Sequence, residues 1–491
     1  MQIQSFINIP KNYKADYYFG LLAVNILGLG CLFGYLNIGD IDTDGGIFAA
    51  VAMKDLNGGI LYQTAWENKP PGIIYFIEGL FFLIPNKINA LFALPILGIV
   101  FLVSGLFNLG YKVSKSLLTS ILFIALFLLF AINNSTIGDA MYTEIFGSVF
   151  LVWGLYFMIK NSESINPKDL NIAALLLGFT FWFKEPFVLI FVPIFIYFFI
   201  IVRPLKSKLI LFFYALIPSI FFILLLQLNG SLIGFFEMVK YNFSFTESFE
   251  GSNVKIEQLN HILYHIIEPL KFLFLAIILN IIRGFRIKGN KWIITLCVFL
   301  LLSSLAFILI APYTFNHYYI PFIILFFVCF ILLFKPSKSE YAHTNIWINI
   351  VLLITIYSLD STSSLKLKWK VDQYVPDRIS EKLMSQKGAT LFVDLVDASG
   401  YYVKGNILYP TFMPVPVAAH FGDNTNGLKN LQRIYKELSE NKPDFLITEE
   451  SSSFMYWHIP DKNLYYGNYE KIDSLKANYG KNVILWKLKQ H

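Results

Sequence analysis

The most constraining feature of this sequence is a succession of apolar stretches. Each approaches the roughly 20 residues that a helix needs to cross the hydrocarbon core of a bilayer. They begin near residues 17, 88, 116, 144, 170, 186, 208, 268, 291, 317 and 345, with short loops between most of them. This predicts a mostly α, polytopic membrane protein of about eleven transmembrane helices. Composition agrees: 56% of residues are hydrophobic and only 15% charged, against about 25% charged in an ordinary soluble domain. A soluble cytosolic enzyme is excluded on that ground. The 49 Phe and 28 Tyr exclude a solvated coil.

The run from Gly72 to Pro85 is too short to cross and is expected to lie in the interface as a helix. The distribution of cations supports that choice. With the run kept out of the bilayer and the N-terminus inside, the inner side collects Lys11, Lys14, Lys112, Lys115, Lys160, Lys168, Arg203, Lys206, Lys208, Arg283, Arg286, Lys288, Lys291, Lys335 and Lys338. The outer loops keep few basic residues, among them Lys54, Lys69, Lys184, Lys240 and Lys255. The N-terminus lacks the pattern of a cleavable signal, so the first span is expected to stay as an anchor.

Two units follow. Residues 1–361 form the transmembrane domain, with a first outer loop at 39–87. Residues 362–491 form a charged, soluble α/β domain on the outer side. In the latter, Ala389–Val396, Asp444–Thr448 and Val483–Leu488 read as strands. Leu428–Asn441 reads as an amphipathic helix that carries Leu428, Leu431, Ile434, Tyr435 and Leu438 on one face. Cys31, Cys297 and Cys329 lie inside apolar runs, so neither a disulfide framework nor a cysteine metal site is expected. The net charge of +6 is scattered through loops, which excludes a nucleic-acid partner.

Chemistry concentrates on the outer side. Asp40, Asp42 and Asp44 stand two apart directly after the first span, followed by Gly45 and Gly46. Crowded carboxylates raise one another's pKa. They can serve as a base or hold a divalent cation, or Asp44 can simply cap a helix over Ile47–Leu56. Lys69 precedes Pro70 and Pro71, which stop a helix from running through it. Its ammonium can face a lipid phosphate or snorkel to the interface. Glu144 starts the fourth span, where a carboxylate also favours a helix N-terminus. Lys184-Glu185-Pro186 interrupts a hydrophobic hairpin at membrane depth. It reads either as a local pair at a turn or as the lining of a polar cavity. His261 and His265 are four apart on a helix, without the Glu of a zinc motif. Tyr241–Asn253 reads as a loop, either a gate or loose.

Asp44, Phe48, Ala52, Leu56, Gly59 and Tyr62, followed by Lys69, Pro70 and Pro71, form a pattern of about 40 residues. It resembles the membrane-embedded GT-C glycosyltransferases, in the branch of the protein O-mannosyltransferases and the lipid A aminoarabinose transferase. The resemblance implies transfer of a sugar from a polyprenyl-phosphate donor to a lipid, glycan or protein acceptor, with inversion. It places the reaction on the outer face of a plasma (bacterial inner) membrane. Asp44 would be the base, with Asp42 its rival. Lys69, Lys184, His317 and Tyr318 would bind the donor phosphate. Glu144, Tyr62 and Glu67 would line the substrate site. The chain departs from the pattern at Gly45, where an acidic residue often stands, and at Asn68, where the aminoarabinose branch has Glu. Both departures bear on the metal and on the sugar. A transporter or flippase is the competing reading, although its ionisable residues would sit near mid-span within related halves.

Overall fold

The computed structural model describes residues 14–35, 43–133, 141–160, 167–201, 204–247, 252–286, 291–310, 315–333, 341–362, 377–394, 398–416, 425–449, 467–476 and 482–489. Asp40, Asp42 and Asp139 lie outside them. The helices are α1 (Lys14–Tyr35), α2 (Thr43–Leu56), α3 (Gly72–Leu83), α4 (Lys87–Ser114), α5 (Leu117–Asn133), α6 (Thr143–Lys160), α7 (Pro167–Thr180), α8 (Val188–Ile201) and α9 (Leu205–Leu228). They continue as α10 (Leu232–Glu247), α11 (Ser252–His261), α12 (Lys271–Arg286), α13 (Lys291–Ile310), α14 (Ile320–Leu333), α15 (Tyr341–Thr362), α16 (Arg378–Met384), α17 (Tyr401–Lys404) and α18 (Thr425–Glu440).

Every predicted span meets a helix, but the helices differ in length. Among the described residues, six are long and apolar enough to cross a membrane: Ala15–Phe33, Lys87–Ser114, Thr143–Lys160, Leu205–Leu228, Ile293–Ile310 and Asn316–Leu333. The pair Val254–Ile267 and Lys271–Ile282, bent by 96°, makes a seventh if counted as one span. The bend falls at Pro269, which cannot continue the hydrogen-bond ladder; Ile262–Ile267 just before it is a π-turn. The span expected from residue 268 therefore starts at Lys271. The apolar parts of α5, α8 and α15 are shorter than a standard crossing, and so is the 14-residue α7.

α14 is the hub of the helical part. Every residue from Ile320 to Leu332 is buried, which fits a helix that is apolar all round. It packs against α4, α6, α12 and α13, and Phe327 meets Phe123, Phe127 and Phe130 of α5. By contrast α9 exposes Leu209, Phe213, Ile220 and Leu224, a lipid-facing surface.

The C-terminal part holds a four-stranded sheet of β1 (Leu391–Val393), β2 (Phe445–Glu449), β3 (Tyr469–Lys476) and β4 (Asn482–Leu488), in the order β1-β2-β4-β3. β1 and β2 are parallel; the other pairs are antiparallel. The alternation of strand side chains sends Leu391, Val393, Phe445, Ile447, Val483 and Leu485 into one core with Ile379 and Leu383 of α16. Phe392 and Leu446 go to the other face, against Leu431, Ile434 and Leu438 of α18. Both cores reach the segment between α1 and α4. Ala50 of α2 is buried in the first, and Trp66 joins the second.

Candidate functional site

Two non-helical segments carry the predicted lysines. The first follows α2. Gly58 (φ 91°) closes that helix in the left-handed conformation, and Tyr62 holds the same rare conformation at φ 66°. For a bulky residue this backbone needs support from its surroundings. Here the Tyr62 hydroxyl donates to the Lys69 carbonyl (2.9 Å), and the ring rests on Phe235. Tyr62 thus braces the Lys69 segment, with its proton committed to that carbonyl. Further on, the Trp66 amide donates to the Phe412 carbonyl (2.8 Å), and the Gly72 amide donates to the Trp182 carbonyl (2.9 Å). A Cβ at Gly72 would overlap the Trp182 carbonyl, so the two segments can approach this closely only at a glycine.

The second segment is 181–187. Lys184 precedes a 3₁₀ turn, Glu185–Phe187, just before α8. Its partner is not Glu185, as a local pair would have it, but Glu144 in the first turn of α6, at 2.8 Å. The two side chains are only 8% and 2% exposed. Thr143 Oγ1 donates to Glu144 Oε2 (3.0 Å). The Lys184 ammonium also sits 4.7 Å from the centre of the Tyr318 ring, a cation–π distance. His317 stacks on Tyr142 with ring centres 4.4 Å apart.

Asp44 lies in the first turn of α2, which starts at Thr43 rather than near Ile47; Asp44 is therefore inside the helix and not its cap. Helix start and glycine pair go together. A Cβ on Gly45 would run into Met141, and one on Gly46 into Ser399 and the Gly400 backbone. An acidic side chain at position 45 has no room here unless Met141 moves.

Electrostatics ties these residues together. Glu67, 5% exposed, feels Lys69, Asp44 and Lys184, and its Oε1 accepts from the Asn68 amide (2.8 Å). His317 is within electrostatic reach of Glu144, Asp44, Lys184 and Lys69. The structure therefore gathers Asp44, Glu67, Lys69, Glu144, Lys184, His317 and Tyr318 into one region. Among the described residues no group of three His, Cys, Asp or Glu is placed to hold a metal ion. Asp40 and Asp42 are outside that search.

Burial pushes the Glu67 carboxyl up from the ordinary 4.5 to about 7; Lys69 and the Asn68 amide offset only part of it. A raised folded-state pKa means that folding takes up a proton between those two values. Stability is thus expected to fall as pH rises from about 4.5 through about 7, and to level off above. Glu67→Gln is expected to remove that part of the slope. Melting temperatures of both proteins at pH 5 and pH 8 measure it; an unchanged difference between the two pH values would contradict the assignment.

Two sequence expectations change. The described parts of Tyr241–Asn253 are helical rather than a loop: α10 runs to Glu247 and α11 starts at Ser252, and residues 248–251 lie outside the described ones. Contacts hold α10 in place, with Tyr241 edge-on to Trp66 at 5.2 Å. The Asn242 amide nitrogen donates to the Asn68 carbonyl and to Glu185 Oε1, both at 2.8 Å. No sequence signal marked Asn242. The second change concerns His261, which is not merely on a helix surface: it stacks on Tyr319 at 4.2 Å, beside the His317-Tyr318 pair.

Residues 68–226 match the family model of the dolichyl-phosphate-mannose-protein mannosyltransferases. That stretch contains Lys69, Glu144 and Lys184 but not Asp44 or His317. No curated protein matches the chain. Among solved structures, ArnT from Cupriavidus metallidurans in the apo state is similar at 10% identity, with a TM-score of 0.56. The same protein bound to undecaprenyl phosphate gives 11% identity and a TM-score of 0.59. Each match covers 94% of this chain and 97% of the other. At such identity the likeness concerns fold. The chain thus has the fold of ArnT over nearly its whole length and the mannosyltransferase sequence pattern over residues 68–226, and so resembles the PMT-like glycosyltransferases of GT-C type.

Proposed function

We propose that this protein transfers a sugar from a polyprenyl-phosphate donor to a lipid, glycan or protein acceptor at the outer face of the membrane. The observation that carries the reading is the meeting of Lys69 and Lys184, from two segments remote in sequence, in one buried electrostatic region with Asp44, Glu67 and Glu144. Two ammonium groups suit a phosphate, and the fold is shared with a protein whose structure holds undecaprenyl phosphate. In this reading eleven spans cross the membrane, with residues 362–491 outside.

The donor phosphate sits between Lys69 and Lys184, with Tyr318 and His317 beside it. Asp44 takes the proton of the acceptor hydroxyl. The acceptor oxygen bonds to the anomeric carbon as the bond from that carbon to the phosphate oxygen breaks. The electron pair leaves with the polyprenyl phosphate, and the configuration inverts. The lysines stabilise the charge that develops on the leaving phosphate. Burial of the site excludes water, which would otherwise compete as acceptor.

Purified protein in nanodiscs, offered a panel of polyprenyl-phosphate sugars, tests this. Wild type is expected to consume one donor and gain thermal stability with it. Lys69→Ala is expected to lose about tenfold or more in donor affinity, the range for one charged hydrogen bond removed. If no donor is consumed and none shifts the melting temperature, the transporter reading takes over.

A further inference from the structure

The two lysine-bearing segments are not held by each other alone. The inner face of α10 touches both. Phe235 packs on Tyr62 of the first segment at 5.7 Å and on Trp182 of the second at 5.5 Å. One turn and then two turns on, Met238 is buried and Tyr241 meets Trp66. Gly234 lets the helix come this close, since a Cβ there would press on the Tyr62 side chain and backbone. At the end of the row stands Asn242. Its amide nitrogen carries two protons. The carbonyl of Asn68, the residue before Lys69, and the carboxylate of Glu185, the residue after Lys184, each accept at 2.8 Å, and the Met238 sulfur of the same helix lies at 3.2 Å.

We propose that Asn242 is a positioning residue that sets the spacing of Lys69 and Lys184 and thereby the affinity for a phosphate group. The inference rests on the phosphate-binding reading given above and adds a residue to it. Its physical basis is specific. A carboxamide presents two donors in one plane, and both acceptors here sit one residue from a lysine, so a single side chain ties the Asn68 carbonyl to the Glu185 carboxylate and thereby bridges the two segments. The bond to Glu185 is charge-assisted, hence stronger than a neutral one. It also draws the Glu185 carboxylate toward α10, while Lys184 is left to Glu144. The outer face of α10 bears Ile233, Phe236 and Phe243, all exposed. The inner-face contacts are what place Asn242.

The test uses undecaprenyl phosphate, without sugar, titrated into the full-length protein in nanodiscs, in the wild type and in Asn242→Ala, Lys69→Ala and the double variant. Asn242→Ala is expected to weaken binding about tenfold, equivalent to about 1.4 kcal/mol, with little change in the melting temperature of the ligand-free protein. In the Lys69→Ala background the same change is expected to cost less than twofold, because with one lysine gone there is no spacing left to set. Glu185→Gln keeps a neutral acceptor for Asn242 and is expected to weaken binding less than Glu185→Ala, which should weaken it as Asn242→Ala does. Equal weakening by Asn242→Ala in both backgrounds, or no weakening in either, overturns the clamp. If Asn242→Ala fails to fold, Glu185→Ala against Glu185→Gln decides the matter. Failure of wild type itself to bind undecaprenyl phosphate overturns the phosphate reading instead.

Discussion

Lys184→Met is expected to destabilise the protein by about 3–5 kcal/mol, the usual cost of leaving one partner of a buried ion pair unpaired. The Lys184–Glu144 pair is at 2.8 Å with both side chains nearly inaccessible, so Glu144 would be stranded with only Thr143 and more distant cations around it. Met keeps much of the volume and removes only the charge. The informative companion is the double variant Lys184→Met/Glu144→Gln. Removing both charges takes away the stranded carboxylate, and most of the lost stability should return. Donor binding should not, since the cation is gone. Unfolding in detergent, followed with the donor titration, reads the two effects separately. Full stability in the single variant would mean that water already solvates Glu144.

Asp44→Asn is expected to lower turnover about 10²–10⁴-fold, the range attributed to a general base, while donor affinity stays close to wild type. Asn is nearly isosteric, so the start of α2 and its glycine contacts with Met141 and Ser399 are kept. What is lost is the capacity to accept a proton. Single-turnover measurements with preloaded donor separate this from binding. Retained turnover would move the base to Asp42 or to Glu67, whose carboxyl near pH 7 has a proton affinity suited to exchange at neutral pH.

Much of this was legible in the sequence because its causes are local. A helix in lipid must be long and apolar, and each of the eleven predicted starts lies in or within three residues of a helix. Lys69-Pro70-Pro71 announces a non-helical segment by backbone chemistry alone. Three of the four strands of the C-terminal sheet show their apolar runs. β3 does not: its sequence YEKIDSLK buries only Tyr469, as suits the edge of a sheet. The residues that meet in the candidate site stood out in the sequence, but their pairing did not. Lys184 sits beside Glu185, and short range favours that pair, yet packing gives Lys184 to Glu144 and Glu185 to Asn242. Asn242 is one polar residue on a helix with aromatic neighbours. Its proposed role rests on two partners far away in the chain, Asn68 and Glu185.

The pairing of Lys184 with Glu144 also bears on how the proposed reaction would end. A sugar-bearing phosphodiester carries one negative charge, whereas the polyprenyl phosphate it would leave behind is a monoester carrying about −1.5 to −2 at neutral pH like other phosphate monoesters. Two lysines alone would attract the more charged of the two more strongly. Glu144, at 2.8 Å from Lys184, and Asp44 and Glu67 in the same region set carboxylates against that extra charge. Under the proposed function they weaken the hold on the spent lipid more than the hold on the donor.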